Sequence, residues 1–114
     1  MSNNRPTILI YTLNVDDYLM VEEMCAGIEE EGLLYEVKRH YFGVLEELSY
    51  NAANESILGC GIGVEGGRAL MSLRNMDKGE YVFSLENPSL SQCRKLGANA
   101  ARAVKRVAFH DLSD

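Results

Sequence analysis

The chain has 114 residues, 46% of them hydrophobic, and a formal net charge of −6. That size fits one domain around one core, the hydrophobic content excludes a disordered chain, and the acidic balance excludes nucleic acid as a general partner. No apolar run approaches the roughly 20 residues that cross a bilayer, and Met1 to Pro6 has no apolar signal region, so a cytoplasmic chain without a membrane partner is expected. Residues 1–6 read as a frayed tail, 7–110 as the domain and 111–114 as a second short tail.

Thr7 to Thr12 is short, β-branched and almost continuously apolar, which predicts a strand buried on both faces. Asn14 or Asp16 can cap the helix that follows. From Asp17 to Glu31 the apolar positions Tyr18, Val21, Met24, Cys25 and Ile28 recur at helical spacing, and Gly32 is placed to end the helix. Leu33 to Arg39 predicts a second strand and Leu45 to Asn54 a second helix. Ser56 to Val64 predicts a third, glycine-rich strand, joined by a tight turn at Glu65-Gly66-Gly67 to a fourth strand over Arg68 to Leu73. Tyr81 to Leu85 predicts a short fifth strand. Asn87-Pro88-Ser89 opens a last helix with an apolar stripe of Cys93, Leu96, Ala100, Val104 and Val107, on which Gly97 permits close packing. The order predicts a single three-layer α/β domain, a mixed and mostly parallel sheet of about five strands with helices on both faces.

Few residues propose chemistry. Cys25, Cys60 and Cys93 are odd in number, far apart and in apolar contexts, so they read as small buried hydrophobes. His40 and His110 lie near no cysteine or acid at nucleophile-site spacing, and no serine has a nucleophile-elbow context. Gly61-Ile62-Gly63-Val64-Glu65-Gly66 spells G-x-G-x-x-G, but a dinucleotide site needs those glycines to open a helix. Here a strand-like segment follows, so the glycines are read as a strand packed against a helix and a hairpin turn.

Charge is segregated along the chain. Asp16 to Glu55 carries eleven acids against Lys38 and Arg39, whereas Ser89 to Arg106 carries Arg94, Lys95, Arg102, Lys105 and Arg106 and no acid. Such polarity reads either as two solvated helix faces or as a pattern that orients the chain against a partner. Glu29-Glu30-Glu31 sets three carboxylates at the negative end of a helix dipole, each costing about 0.3–1 kcal/mol. Solvent, a partner's arginine or a metal ion would offset that. Asn99 is a poor intrinsic choice within a helix and invites a hydrogen bond to its own helix, a neighbouring loop or a partner.

Three stretches in register, Gly27-Ile28-Glu29-Glu30-Glu31-Gly32, Ser56-Ile57-Leu58-Gly59-Cys60-Gly61-Ile62-Gly63 and Leu96-Gly97-Ala98-Asn99-Ala100-Ala101-Arg102-Ala103-Val104-Lys105, resemble the small subunit of the diol/glycerol dehydratase reactivating factor. The resemblance spans Pro6 to Phe109. It implies a fold like that of the dehydratase medium subunit and a non-catalytic chain that partners a large subunit with an actin-like ATPase core, two large with two small. It implies release of damaged cobalamin from inactivated dehydratase by subunit exchange, with transient engagement of the dehydratase large subunit and possible association with a bacterial microcompartment. The resemblance also implies that Glu30 reaches a divalent ion, magnesium or calcium, shared with the large subunit, with no cofactor held tightly by this chain alone. Glu29, Glu30, Glu31, Asn99 and Arg102 are the implied interface. The sequence departs from the family where Lys105-Arg106-Val107-Ala108-Phe109 replaces Lys-Gly-Ile-Pro-Phe, and where Ile57 and Leu34 stand at common proline positions. Two other readings stay open: a medium subunit of the dehydratase itself, and a small-ligand or nucleotide module.

Overall fold

The computed structural model describes residues 5–13 and 15–114. Strand β1 (Thr7–Thr12) leads through a 3-10 turn (Val15–Asp17) into helix α1 (Tyr18–Glu30). Then come β2 (Leu34–Arg39), α2 (Leu45–Glu55), β3 (Cys60–Glu65), β4 (Arg68–Leu73), β5 (Phe83–Glu86) and α3 (Leu90–Lys105). The sheet order is β2-β1-β3-β4-β5. β1 is parallel to both its neighbours, β3 and β4 are antiparallel, and so are β4 and β5. Four of the five strands therefore run the same way, the mixed sheet expected from the element order.

β1 is buried at all six positions because it lies inside the sheet and between two helical layers. Ile8 and Ile10 join Ile62, Val64, Ala69 and Met71 in the core under α1 and α3. Leu9 and Tyr11 face the other way and pack on Leu48 and Ala52 of α2. The helices close on their neighbours through glycines. A Cβ on Gly61 would fall on the Ala52–Ala53 backbone, and one on Gly63 would lie 2.7 Å from the Ser49 nitrogen. Between the other two helices, a Cβ on Gly97 would meet the Met24 carbonyl and one on Gly27 the Arg94 carbonyl. The G-x-G-x-x-G run is thus a close-packed strand ending in a hairpin, with Gly66 and Gly67 at φ +58° and +77° between the paired Glu65 and Arg68.

Several boundaries differ from expectation. β3 begins at Cys60, not Ser56, because the Ser56 hydroxyl donates to the Thr7 carbonyl (2.6 Å) and accepts from the Leu58 N–H (3.1 Å), making a turn of Ser56 to Gly59. β5 starts two residues later than Tyr81. Asp16 gives α1 no cap: the N-cap position is Asp17, without a side-chain cap bond, and Asn14 lies outside the described residues. The buried Asp17 carboxylate instead accepts from the Gly66 and Gly67 N–H groups at 3.1 and 3.0 Å, tying the start of α1 to the β3–β4 turn. α3 starts on a capping box of Ser89 and Gln92. It ends at Lys105, where Arg106 takes the left-handed conformation, so Val107 lies beyond the helix and is half exposed rather than part of its stripe. No helix of the described residues is long and apolar enough to cross a membrane.

Candidate functional site

The α1 part of the acidic segment faces the basic last helix. α1 and α3 lie side by side on one face of the sheet, and the acidic end of α1 meets the basic side of α3. Arg94 reaches Glu23 through Nε (2.8 Å) and Glu30 through Nη1 (2.8 Å). Arg102 Nε lies 3.0 Å from Glu31 Oε2, and Lys105 Nζ lies 2.8 Å from Glu31 Oε1. Lys105 also donates to the Glu31 backbone carbonyl at 2.8 Å, placing a cation on the last turn of α1. Two of the three acids of this turn, Glu30 and Glu31, are offset from within the chain, and Glu29 is left to solvent. The bonds from Lys105 and then Arg102 hold the Glu31 carboxyl below the usual carboxylate range.

The five sequence-predicted residues separate into two groups. Glu29, Glu30, Glu31 and Arg102 come together at one end of the α1–α3 layer. Glu29 and Glu30 are exposed, Glu31 and Arg102 are the locked pair beneath them, and the Glu29 side chain has no hydrogen bond or ion pair among the described residues. Asn99 lies one turn before Arg102 and is fully buried. Its amide donates to the His110 carbonyl at 2.9 Å and accepts from the His110 N–H at 2.6 Å, so the neighbouring loop of its own chain takes it up.

Arg94, Lys105 and Glu23 complete the clamp and were not singled out from the sequence, although the charge segregation marked their segments. The histidines stay apart: the His40 ring lies tilted against Tyr11, centroids 4.2 Å apart, and His110 Nε2 lies 3.8 Å from Glu31. The three cysteines are unpaired and buried.

No group of three His, Cys, Asp or Glu residues able to hold a metal occurs among the described residues. Glu30 has one oxygen engaged by Arg94 and a side chain 57% exposed, so its second oxygen is open to the outside. An open carboxylate oxygen of this kind is a hard donor that suits a divalent cation with oxygen ligands.

The dehydratase medium subunit family model matches residues 5–110. The propanediol dehydratase-reactivating factor small subunit of Salmonella typhimurium is 32% identical over 112 residues, covering 97% of this chain and 96% of the relative. This chain belongs to the dehydratase-reactivating factor small-subunit family. The diol dehydratase-reactivating factor small subunit of Klebsiella michiganensis is also 32% identical, covering 98% of this chain and 90% of the relative. Among solved structures, the diol dehydratase-reactivating factor in complex with ADP and Mg2+ aligns with a TM-score of 0.88 at 30% identity, over 95% of this chain and 100% of the other. A glycerol dehydratase reactivase aligns with a TM-score of 0.90 at 24% identity, over 96% and 100%, and shares the fold. Leu34 and Ile57 are both exposed, and Leu34 is the first residue of the edge strand β2, a place a proline also tolerates.

Proposed function

We propose that this chain is the small, non-catalytic subunit of a factor that reactivates a diol or glycerol dehydratase. On this reading it assembles with a large ATPase subunit, two of each, and moves transiently to the inactivated dehydratase so that damaged cobalamin leaves and intact adenosylcobalamin enters. The observation that carries the reading is the match along almost the whole length of two curated reactivating-factor small subunits, with almost the whole of each covered in turn. A dehydratase medium subunit shares the family model, but those full-length relatives carry the reactivating-factor name. ATP hydrolysis is assigned to the large partner.

The docking surface is placed at the end of α1. Glu29 and Glu30 face outward there, and Glu31, Arg102 and Asn99 hold the turn and the neighbouring chain in position. Glu30 would supply its open carboxylate oxygen to a magnesium or calcium ion of the large subunit, the other oxygen staying on Arg94.

The test is reconstitution. A diol or glycerol dehydratase inactivated by glycerol is mixed with the large subunit, ATP, magnesium and fresh adenosylcobalamin, with and without this chain. Activity is expected to return only with the chain present. Recovery that ignores the chain, with no complex formed with either protein, rejects the reading. A chain that co-purifies with the dehydratase and retains cobalamin would place it in the enzyme instead.

A further inference from the structure

β2 is the outer strand on one side of the sheet, and among the described residues no strand pairs with its far side. Its main chain alternates. It runs parallel to β1 with Thr7 beside Leu34 and Tyr11 beside Lys38, and just beyond it the His40 N–H donates to the Thr12 carbonyl at 2.8 Å. Even-numbered residues therefore turn their N–H and C=O groups to β1, and Tyr35, Val37 and Arg39 point theirs outward.

The side chains of this edge alternate too. Tyr35 packs on the core beneath α1 and α3, which puts Val37 and Arg39 on that same face. Leu34, Glu36 and Lys38 lie on the other face, that of α2. Glu36 and Lys38 are half-buried and two residues apart, yet neither makes an ion pair among the described residues. Leu34 and Val37 are exposed, and just past the strand Tyr41 and Phe42 are 76% and 89% exposed.

We propose that two copies of this chain pair antiparallel through β2 about a two-fold axis at Val37, joining their five-stranded sheets into one. In that register Val37 faces Val37 of the other copy, Glu36 faces Lys38, Tyr35 faces Arg39 and Leu34 faces His40. The symmetry makes each unlike pair twice, so both unpaired charges of both copies find an opposite charge on their own face. The main-chain groups that point outward are the ones that meet, Val37 with Val37 and Tyr35 with Arg39, as hydrogen-bonded pairs of an antiparallel ladder. Arg39, which in its own chain lies over the Tyr41 ring at 5.4 Å, gains a second ring in Tyr35 of the other copy. Tyr41 and Phe42 follow the strand at the end where Leu34 of the other copy begins it, so exposed apolar residues cover one another.

The register singles out a second copy as the occupant. A two-fold antiparallel pair keeps each side chain on its own face, so the axis must fall on a residue. An axis at Glu36 sets Glu36 on Glu36, one at Lys38 sets Lys38 on Lys38, and one at Arg39 sets two guanidiniums together. Like charges directly opposite are unfavourable. An axis at Tyr35 leaves Lys38 and Arg39 outside the ladder. Val37 is the centre that sets unlike charges opposite, and a strand complementary to itself in one register and repelled in the next fits its own copy. The pairing rests on this edge alone and goes beyond the reactivating role.

The experiment is sedimentation equilibrium of the full chain by itself. A reversible species of twice the 12.7 kDa chain mass is expected between about 10 μM and 1 mM. Glu36→Lys and Lys38→Glu each set like charges opposite in both pairs, and each is expected to weaken self-association at least about tenfold. Mixed in equal amounts, the two variants set unlike charges opposite again. A heterodimer about as tight as the parent dimer is expected, which variants that had merely lost their fold would not form. Val37→Pro removes an outward N–H and leaves the β1 ladder intact, so it is expected to be monomeric with the circular dichroism of the parent. Should Val37→Pro not fold, the mixed variants decide. A chain that stays monomeric to about 1 mM overturns the proposal and leaves the edge to a strand of another protein. So does a dimer indifferent to these variants, or a mixture that fails to restore it.

Discussion

Arg106 occupies a backbone position that suits glycine. Its φ of 61° and ψ of 42° put a non-glycine residue in the left-handed region, which costs roughly 1–2 kcal/mol. The turn it makes is what sends residues 107–114 back along α3, so the helix boundary and the strap share one strained residue. Arg106→Gly removes the strain but adds freedom to the unfolded chain, and the balance is expected to be neutral to about 1 kcal/mol stabilising. Arg106→Val, β-branched and exposed, is expected to lose about 1–2 kcal/mol. Urea midpoints measure both, and a valine variant as stable as the parent would mean the turn is not left-handed. The thiols make a second residue-scale case. Burial pushes Cys60 up to about 12, and burial first of all pushes Cys25 and Cys93 up to about 11, from an ordinary 9.0. The folded chain holds these protons longer than the unfolded chain does. The stability they add is complete below pH 9 and drains away as pH rises through the raised values. Native chain at pH 8 should therefore label with a thiol reagent only on unfolding, and the urea midpoint should fall between pH 9 and 11. Rapid labelling of any of the three in the folded chain would contradict the burial.

At the scale of elements, α1 and α3 are joined by shape and by charge. Gly27 and Gly97 let the backbones meet. A methyl at Gly97 would fall on the Met24 carbonyl, an atom that cannot rotate aside. Gly97→Ala gains about 1 kcal/mol of helix propensity but forces the helices apart, so a net loss of about 1–3 kcal/mol is expected in denaturant unfolding. A neutral result would mean the helices do not approach this closely. Glu31 is the hub of the charge contribution. Glu31→Gln is expected to lose about 1 kcal/mol at neutral pH, as for a part-exposed network. The carboxyl of the folded chain lies below its ordinary 4.5, so its contribution is complete above that pH and is lost as pH falls through the lowered value. The gap between parent and variant should close in acid, and a gap that persists there would assign the loss to packing. Much of this layer was legible in the sequence. The helical spacing, the packing role of Gly97 and the glycine-rich third strand all emerged from periodicity and from the missing side chains. The segregation of acids and bases was visible too, but not that they face each other. Which sides of two helices meet is settled by how both pack on β1 and β3, which neither helix encodes alone. The turn at Ser56 was missed because Ile57 and Leu58 look like strand, while a hydroxyl bonded to Thr7, distant in sequence, ends the helix region instead. The strap was missed for a stronger reason: its contacts run to main-chain atoms, and no side-chain pattern announces them.

For the whole molecule, the layers predict an order of opening. β1 is buried at every position, has strands on both sides and is packed on by both helical layers through alternate residues, Ile8 and Ile10 to one side, Leu9 and Tyr11 to the other. Breaking its hydrogen bonds exposes both cores at once, so its amides and those of β3 from Gly61 to Val64 should exchange only through global unfolding. β5 is a four-residue edge with Ser84 and Glu86 exposed, and residues 107–114 have no ladder at all. Their amides should exchange through local openings well below the global free energy and with little dependence on dilute denaturant. Two-sided burial and two-sided pairing, not distance from the termini, set this order, since β1 begins only a few residues into the chain. Native-state hydrogen exchange across a denaturant series separates the two classes. If β1 and the C-terminal strap converge on one denaturant-sensitive isotherm, the chain opens as a single unit, and the strap is a fixed part of the core and not a detachable layer over α3.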